Sequence, residues 1–464
     1  MSGFVFIPMH PSNNVAVFYK VTLMSISVAG RPLDLPPTAF PHGDYGMTLD
    51  SSTVVMVLLM APWALFSSLY LDGCLSIIPC LAETLRRDEA RWNHIIGTSI
   101  GHTAVGSPDN GEVIPAELAH SLEYVVTVGF GTPAIPQTVV IDSGSDFAWV
   151  QCKPCDSSEC DPQKDPLFDP RKSSTYAPVP CDSGACRNIS YNEGNGCTGE
   201  KLCGFALSYA DASNSTGVYS RDKLTLAPGV AVEGFRFGCA HGRGGWDNMS
   251  AGLIGLGNSP ESLVSQAAPS YGGSFSYCLP PTGSSAGFLA LGRPSDTSGF
   301  AFTQMHPSDH VAVFYKVTLT GISVAGRPLD VPPSAFPHGD YGMILDSGTV
   351  VTVLPAAPYA ALRTAFRRAM AAYPPAPPIH PADTCYNLTG YGNVTVPGVA
   401  LTFLGGATVE LYNPGGILVE GCLAFSGLRP DNHGNGVIGN VNQRAFEVLY
   451  DPVQLSVGFR AGAC

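Results

Sequence analysis

From about residue 118 to the C-terminus, apolar and polar positions mostly alternate in short runs, as at 124–128 (YVVTV) and 138–141 (TVVI), separated by Gly and Pro turns. A period of two sends successive side chains to opposite faces, so these runs predict half-buried strands. Helical spacing emerges in two places. Residues 356–372 (AAPYAALRTAFRRAMAA) predict a helix within the strand-rich body, and 81–96 (LAETLRRDEARWNHII) predict a charged one before it. In the latter, Leu81, Leu85, Trp92 and Ile96 form an incomplete apolar stripe. Residues 97–115, rich in Gly, Pro and Ser, read as a linker. Residues 53–71 (TVVMVLLMAPWALFSSLYL) carry no charge and are long enough to span a bilayer, with Pro62 in the middle and no basic residue at the start. A displaced signal-peptide core, a membrane anchor and a buried segment all fit that run.

The pattern also repeats. Residues 2–58 align without a gap on 298–354, with 45 identities in 57 positions, and 15–23 (VAVFYKVTL) is identical to 311–319. Two distant copies with no short period exclude a solenoid. The first copy breaks off at Leu58, where the second continues into Pro355 and the predicted helix, so 1–58 reads as a partial duplicate whose strands lack their partners. The expected organisation is therefore 1–58 duplicate, 59–80 apolar segment, 81–117 helix and linker, 118–297 first lobe and 298–464 second lobe.

Composition narrows the class. Charged residues make up 13% of the 464, about half the usual share, while 52 Gly and 40 Pro favour short strands and many turns. A net charge of −13 would repel a phosphate backbone, so nucleic acid is not an expected partner. Fourteen cysteines accompany five N-x-S/T sequons at Asn188, Asn214, Asn248, Asn387 and Asn393. Together they predict a glycosylated, disulfide-bonded protein of the secretory pathway, extracellular or vacuolar.

Two motifs carry candidate chemistry. Residues 139–150 read VVIDSGSDFAWV and 343–354 read MILDSGTVVTVL. Each ends an apolar strand on an Asp, Asp142 or Asp346, followed by Ser, then Gly144 or Gly348, then Ser145 or Thr349. The Gly permits a tight turn, and the hydroxyls can donate to the carboxylates. About a hundred residues after each motif come two apolar residues and a Gly, at 253–255 and 437–439. One D-S-G is an ordinary turn; two with matched flanks imply two equivalent lobes meeting at the aspartates.

On these motifs the chain from about 118 onward resembles the pepsin-like aspartic proteases, and among them the nepenthesin-type plant enzymes. The resemblance implies an all-β, bilobal fold with pseudo-twofold symmetry and a cleft between lobes. It implies Asp142 and Asp346 as the catalytic dyad, Tyr209 in LSYADASNSTG as the flap tyrosine, and Trp149 as its support. Residues 437–451 (VIGNVNQRAFEVLYD) match the family's closing motif, and LRRDEARWNHI matches an activation-segment helix, implying a zymogen. Two carboxyl groups held this close share one proton. The ionised one then deprotonates a water that attacks the peptide carbonyl, which implies an acidic pH optimum, protein or peptide substrates, a monomer, and no metal or other cofactor. The resemblance further implies the disulfides Cys152–Cys155, Cys160–Cys239, Cys181–Cys203, Cys186–Cys197, Cys278–Cys464 and Cys385–Cys422.

Competing readings remain. The C-x-x-C of Cys152 and Cys155 is also compatible with zinc. GSSAG at 283–287 formally matches a hydrolase elbow but lacks the strand-turn-helix context, and GFG at 129–131 lacks a following helix. Ala210 and Ala212 stand where flap glycines are expected, and the Asn214 sequon adjoins them. Asp50 belongs to DSST, where Ser52 replaces the turn Gly, so it is not counted as catalytic. The functional alternative to an acid endopeptidase is a non-catalytic binding or inhibitor protein of the same fold.

Overall fold

The computed structural model describes most of the chain from Glu112 to Cys464, apart from 119–121, 156–159, 190–195, 210–212, 245–249, 307–313, 284, 340–341 and 430–434. Before that it describes Leu85, Asp88 and five short strands within the first fifty residues. The apolar run 53–71 and flap residues Ala210 and Ala212 lie outside the described residues. Among those that are described, no helix is long and apolar enough to cross a membrane.

The chain divides into two compact units, Met1–Gly73 and Cys74–Cys464. In the first, strand Met9–His10 pairs antiparallel with Tyr19–Val21, which pairs with Met47–Leu49. Met9 faces Val21 and Val21 faces Met47, the same register, 296 residues earlier, as Met305 with Val317 and Val317 with Met343. Near-identical sequence reproduces identical local pairing. The later copy continues further: Met343–Leu345 also lies parallel to Val437–Ile438.

The second unit is all-β with two lobes. In the first lobe, strand Ile135–Asp142 runs parallel to Gly252–Gly255, placing Gly255 opposite Asp142. Strand Trp149–Gln151 then returns antiparallel to Gly252–Gly255 and parallel to Val230–Gly244. The second lobe repeats the arrangement: Met343–Leu345 parallel to Val437–Ile438, with Thr352–Leu354 antiparallel to Val437–Ile438 and parallel to Phe425–Gly427. The repeated apolar-apolar-Gly triplets have a steric basis at these crossings. A Cβ on Gly255 would fall 2.2 Å from the Asp146 carbonyl carbon, and one on Gly439 would fall 2.6 Å from the Val350 carbonyl oxygen.

Six antiparallel strands join the lobes, in the order Glu112–Leu118, Gly287–Leu291, Phe275–Cys278, Phe446–Asp451, Ser456–Ala461, Ala301–His306. The predicted helix spans Ala356–Ala369 and buries Tyr359, Leu362 and Phe366, the i, i+3, i+7 face expected of an amphipathic helix. Phe275 stacks on Tyr450 at 4.5 Å, while Tyr277 and Tyr315 pack against the same ring. This aromatic cluster lies beneath the meeting point of the lobes.

Four of the six disulfides implied by resemblance are corrected. The bonded pairs are Cys152–Cys239, Cys155–Cys160, Cys181–Cys197 and Cys186–Cys203. Strand pairing decides the first, because Val150 is opposite Cys239 and the Cys152 N–H donates to Ala240. Cys155 is left to close a short loop with Cys160. Sidedness decides the other two: Cys203 is buried in a cluster against Cys186, whereas Cys197 is exposed and meets the half-buried Cys181 at the rim. In the second lobe Cys278 joins Cys464 and Cys385 joins Cys422, the pairs the resemblance implied.

Candidate active site

Asp142 ends its strand and Asp346 follows Met343–Leu345, and both are fully buried. Each carboxylate accepts the same two hydrogen bonds. Gly144 N–H and Ser145 Oγ–H donate to Asp142 at 2.9 and 2.5 Å; Gly348 N–H and Thr349 Oγ1–H donate to Asp346 at 2.9 and 2.6 Å. The intervening serines exchange bonds across the lobes. Ser143 N–H donates to Ser347 Oγ and Ser347 N–H to Ser143 Oγ, both at 2.9 Å. Their hydroxyls then donate onward to Leu345 O and Ile141 O.

This exchange brings the two loops edge to edge. A Cβ placed on Gly144 would lie 2.6 Å from Asp346 Cγ, so only glycine lets the second carboxylate approach the loop that binds the first. Ser145, Thr349, Gly144 and Gly348 thus gather around one pair of acids, as their spacing predicted.

Tyr209 and Trp149 also meet. Trp149 Nε1–H donates to the Tyr209 hydroxyl at 2.7 Å, and Tyr209 N–H donates to Ser213 O, closing the hairpin between Gly204–Ser208 and Asn214–Ala227. Of the sequons, Asn214, Asn387 and Asn393 are exposed, while Asn248 and the Asn188 side chain lie outside the described residues.

Sequence reasoning missed the layer behind the loops. Gln443 Nε2–H donates to Asp346 O at 3.3 Å and to Ile438 O at 2.8 Å, and its Oε1 accepts from the Tyr277 hydroxyl. Tyr277 and Tyr450 share a hydroxyl contact at 2.6 Å. Burial pushes both phenols up, so they stay neutral beneath the acids. Asn440 Nδ2–H donates to Ser347 O and Leu122 O. Over the Trp149 ring, 5.5 Å from its centroid, sits the buried Arg243 guanidinium, paired with Asp161 at 3.2 Å. Asn440 and Gln443 were visible in the closing motif, but only as letters; Arg243 gave no signal.

Models of the "Xylanase inhibitor N-terminal" and "Xylanase inhibitor C-terminal" families match residues 124–293 and 314–461. An aspartyl protease family protein of Arabidopsis thaliana is 38% identical over 83% of this chain and 83% of its own length. The chain belongs to the pepsin-like aspartic protease family. Within it, nepenthesin-2 of Nepenthes gracilis is 33% identical over 74% of this chain and 78% of the relative. Pepsin-like architecture also appears in the solved structure of soybean basic 7S globulin, with a TM-score of 0.58 at 20% identity, covering 76% of this chain and 95% of that one. That likeness concerns the fold alone.

Proposed function

We propose that the protein is an aspartic endopeptidase acting at acidic pH. The observation that carries this reading is the pair of buried carboxylates, each held by a Gly N–H and a hydroxyl and locked together by the Ser143–Ser347 exchange. Like charges this close ionise together only at high cost, so the working pair holds one proton. The ionised member takes a proton from a water between the acids; that water attacks the scissile carbonyl while the protonated member hydrogen-bonds the forming oxyanion. Collapse expels the amine, which leaves with a proton from the pair. Protein or peptide chains are the substrates, the protein acts as a monomer, and the disulfides and exposed sequons support passage through the secretory pathway.

A second reading, a non-catalytic binder of this fold, draws on the names of the matched family models. The presence of both acids with all four donors favours the enzyme. The test is cleavage of a denatured protein at roughly pH 3 to 5 by wild type beside Asp142→Asn. We expect a loss of at least about 1,000-fold in the variant; two equally inert proteins would hand the function to the binding reading.

A further inference from the structure

Arg243 takes no part in the dyad or in the proton transfers proposed for it, yet its side chain is fully buried beside the flap. It lies on strand Val230–Gly244 directly opposite Ser215, and Ser215 is opposite Leu207. Residues paired in this way share a face of the sheet. With a period of two, that face also carries Tyr209, whose N–H donates to Ser213 O. The guanidinium and the flap tyrosine therefore meet the same indole. The guanidinium carbon sits 5.5 Å from the centroid of the Trp149 ring, and the ring Nε1–H donates to the Tyr209 hydroxyl at 2.7 Å. On its other side Arg243 Nε–H donates to Asp161 Oδ2 at 3.2 Å and Nη1–H donates to Ser250 O at 3.3 Å.

Asp161 is itself held in place. It follows Cys160, which closes a loop with Cys155. Its carbonyl accepts from Gln151 Nε2–H at 2.9 Å, two residues after Trp149. Pro154 O, in the same cysteine-rich stretch, contacts His241 Nδ1 at 3.1 Å, two residues before Arg243.

We propose that Arg243 is a positioning residue for the flap tyrosine, acting through the Trp149 ring, with Asp161 and the Cys155–Cys160 loop as its anchor. A cation over an indole is attracted to the negative face of the ring. It draws ring electron density toward itself and leaves the Nε1–H a stronger donor to Tyr209, because neighbouring polar groups in a low-dielectric interior polarise one another. An apolar side chain could fill the same space without that effect. A buried guanidinium without a carboxylate would be costly, which is the part Asp161 plays. The Tyr209 hydroxyl is thereby fixed before a substrate arrives, so flap ordering is not left to the chemical step. The inference rests on the endopeptidase reading for its kinetics, but not for its structural test.

The experiment uses the full chain with isotope-labelled tryptophan, which gives one indole N–H resonance for each of the four Trp; Trp149→Phe identifies the one that matters. Arg243→Met should move the Trp149 resonance upfield, toward a weaker hydrogen bond, and leave the others in place. Against a peptide substrate the same variant should lose about tenfold in kcat/KM, and Arg243→Lys, which returns a cation to the ring, should recover most of that loss. In a Trp149→Phe background, Arg243→Met should cost less than about twofold more, whereas a merely structural role would cost as much as before. An unmoved Trp149 resonance, a Lys variant as poor as the Met variant, or losses that multiply in full across the two backgrounds overturns the proposal. If Arg243→Met does not fold, Asp161→Asn, which frees the guanidinium from its anchor, is read in its place by the same resonance, and no movement there overturns the proposal. If wild type and Asp142→Asn prove equally inert, the endopeptidase reading fails while the Trp149 resonance still decides the role of Arg243.

Discussion

The Asp142 loop finds its support within its own lobe. Four residues after Asp142, the Asp146 carboxylate accepts from Ser259 N–H at 2.9 Å and Ser259 Oγ–H at 2.8 Å, tying the loop to the turn before helix Leu263–Tyr271. The matching position after Asp346 is Val350, which has no side-chain acceptor to offer. There the acceptor arrives from Asp88, 262 residues away in sequence. Both loops hold their acids through the same pair of donors, a Gly N–H and a hydroxyl, yet the next turn of one is tied within its lobe and that of the other meets Asp88. Symmetry at the two carboxylates therefore does not require symmetry in what surrounds them.

The sharpest way to break the equivalence at the front is Gly144→Ala. Its methyl would press into the Asp346 carboxylate, and we expect kcat to fall by at least about 100-fold with thermal unfolding little changed, measured by steady-state kinetics beside a melting curve. A milder comparison removes one donor from each loop. Ser145→Ala and Thr349→Val each delete one charge-assisted hydrogen bond, so each should cost about tenfold in kcat. A clear inequality between them would show that the two acids carry different burdens. The smallest effect concerns stability behind the first loop. Burial, then the nearby Asp146, pushes the Glu261 carboxyl up, while Arg236 pulls the other way. A raised folded-state value means that Glu261 supports the fold while protonated and that this support is lost as pH rises through its folded pKa. Glu261→Gln should therefore gain stability relative to wild type more at about pH 7 than at about pH 3, read as the difference in melting temperature.

Much of the front of the site was legible in the sequence. A strand, an acid, a tight turn and a hydroxyl are contiguous, so D-S-G-S and D-S-G-T announce their geometry locally, and their repetition supplies the second half. The crossing glycines Gly255 and Gly439 were equally visible as partners of each motif. The disulfides were not. Which way Cys203 or Cys197 faces depends on a register that the spacing leaves free, and the resemblance assigned both wrongly. Asp88 was least legible: an Asp in a charged helix looks like any solvated one until its face is known to meet the Val350 and Val351 amides. Asn440 and Gln443 sit in a recognisable motif, but their partners Leu122 O and Tyr277 OH come from other parts of the chain.

The reciprocal bonds between Ser143 and Ser347 also bear on motion. Bonds at 2.9 Å in both directions pin the lobes to each other at the floor of the cleft. Any rocking of one lobe on the other then pivots near the acids, with displacement growing toward the rims. A small rotation would leave the two carboxylates almost still while the outer walls of the lobes move; on the endopeptidase reading, accommodation of different chains would then fall to the far ends of the groove, with the acids held at the fulcrum.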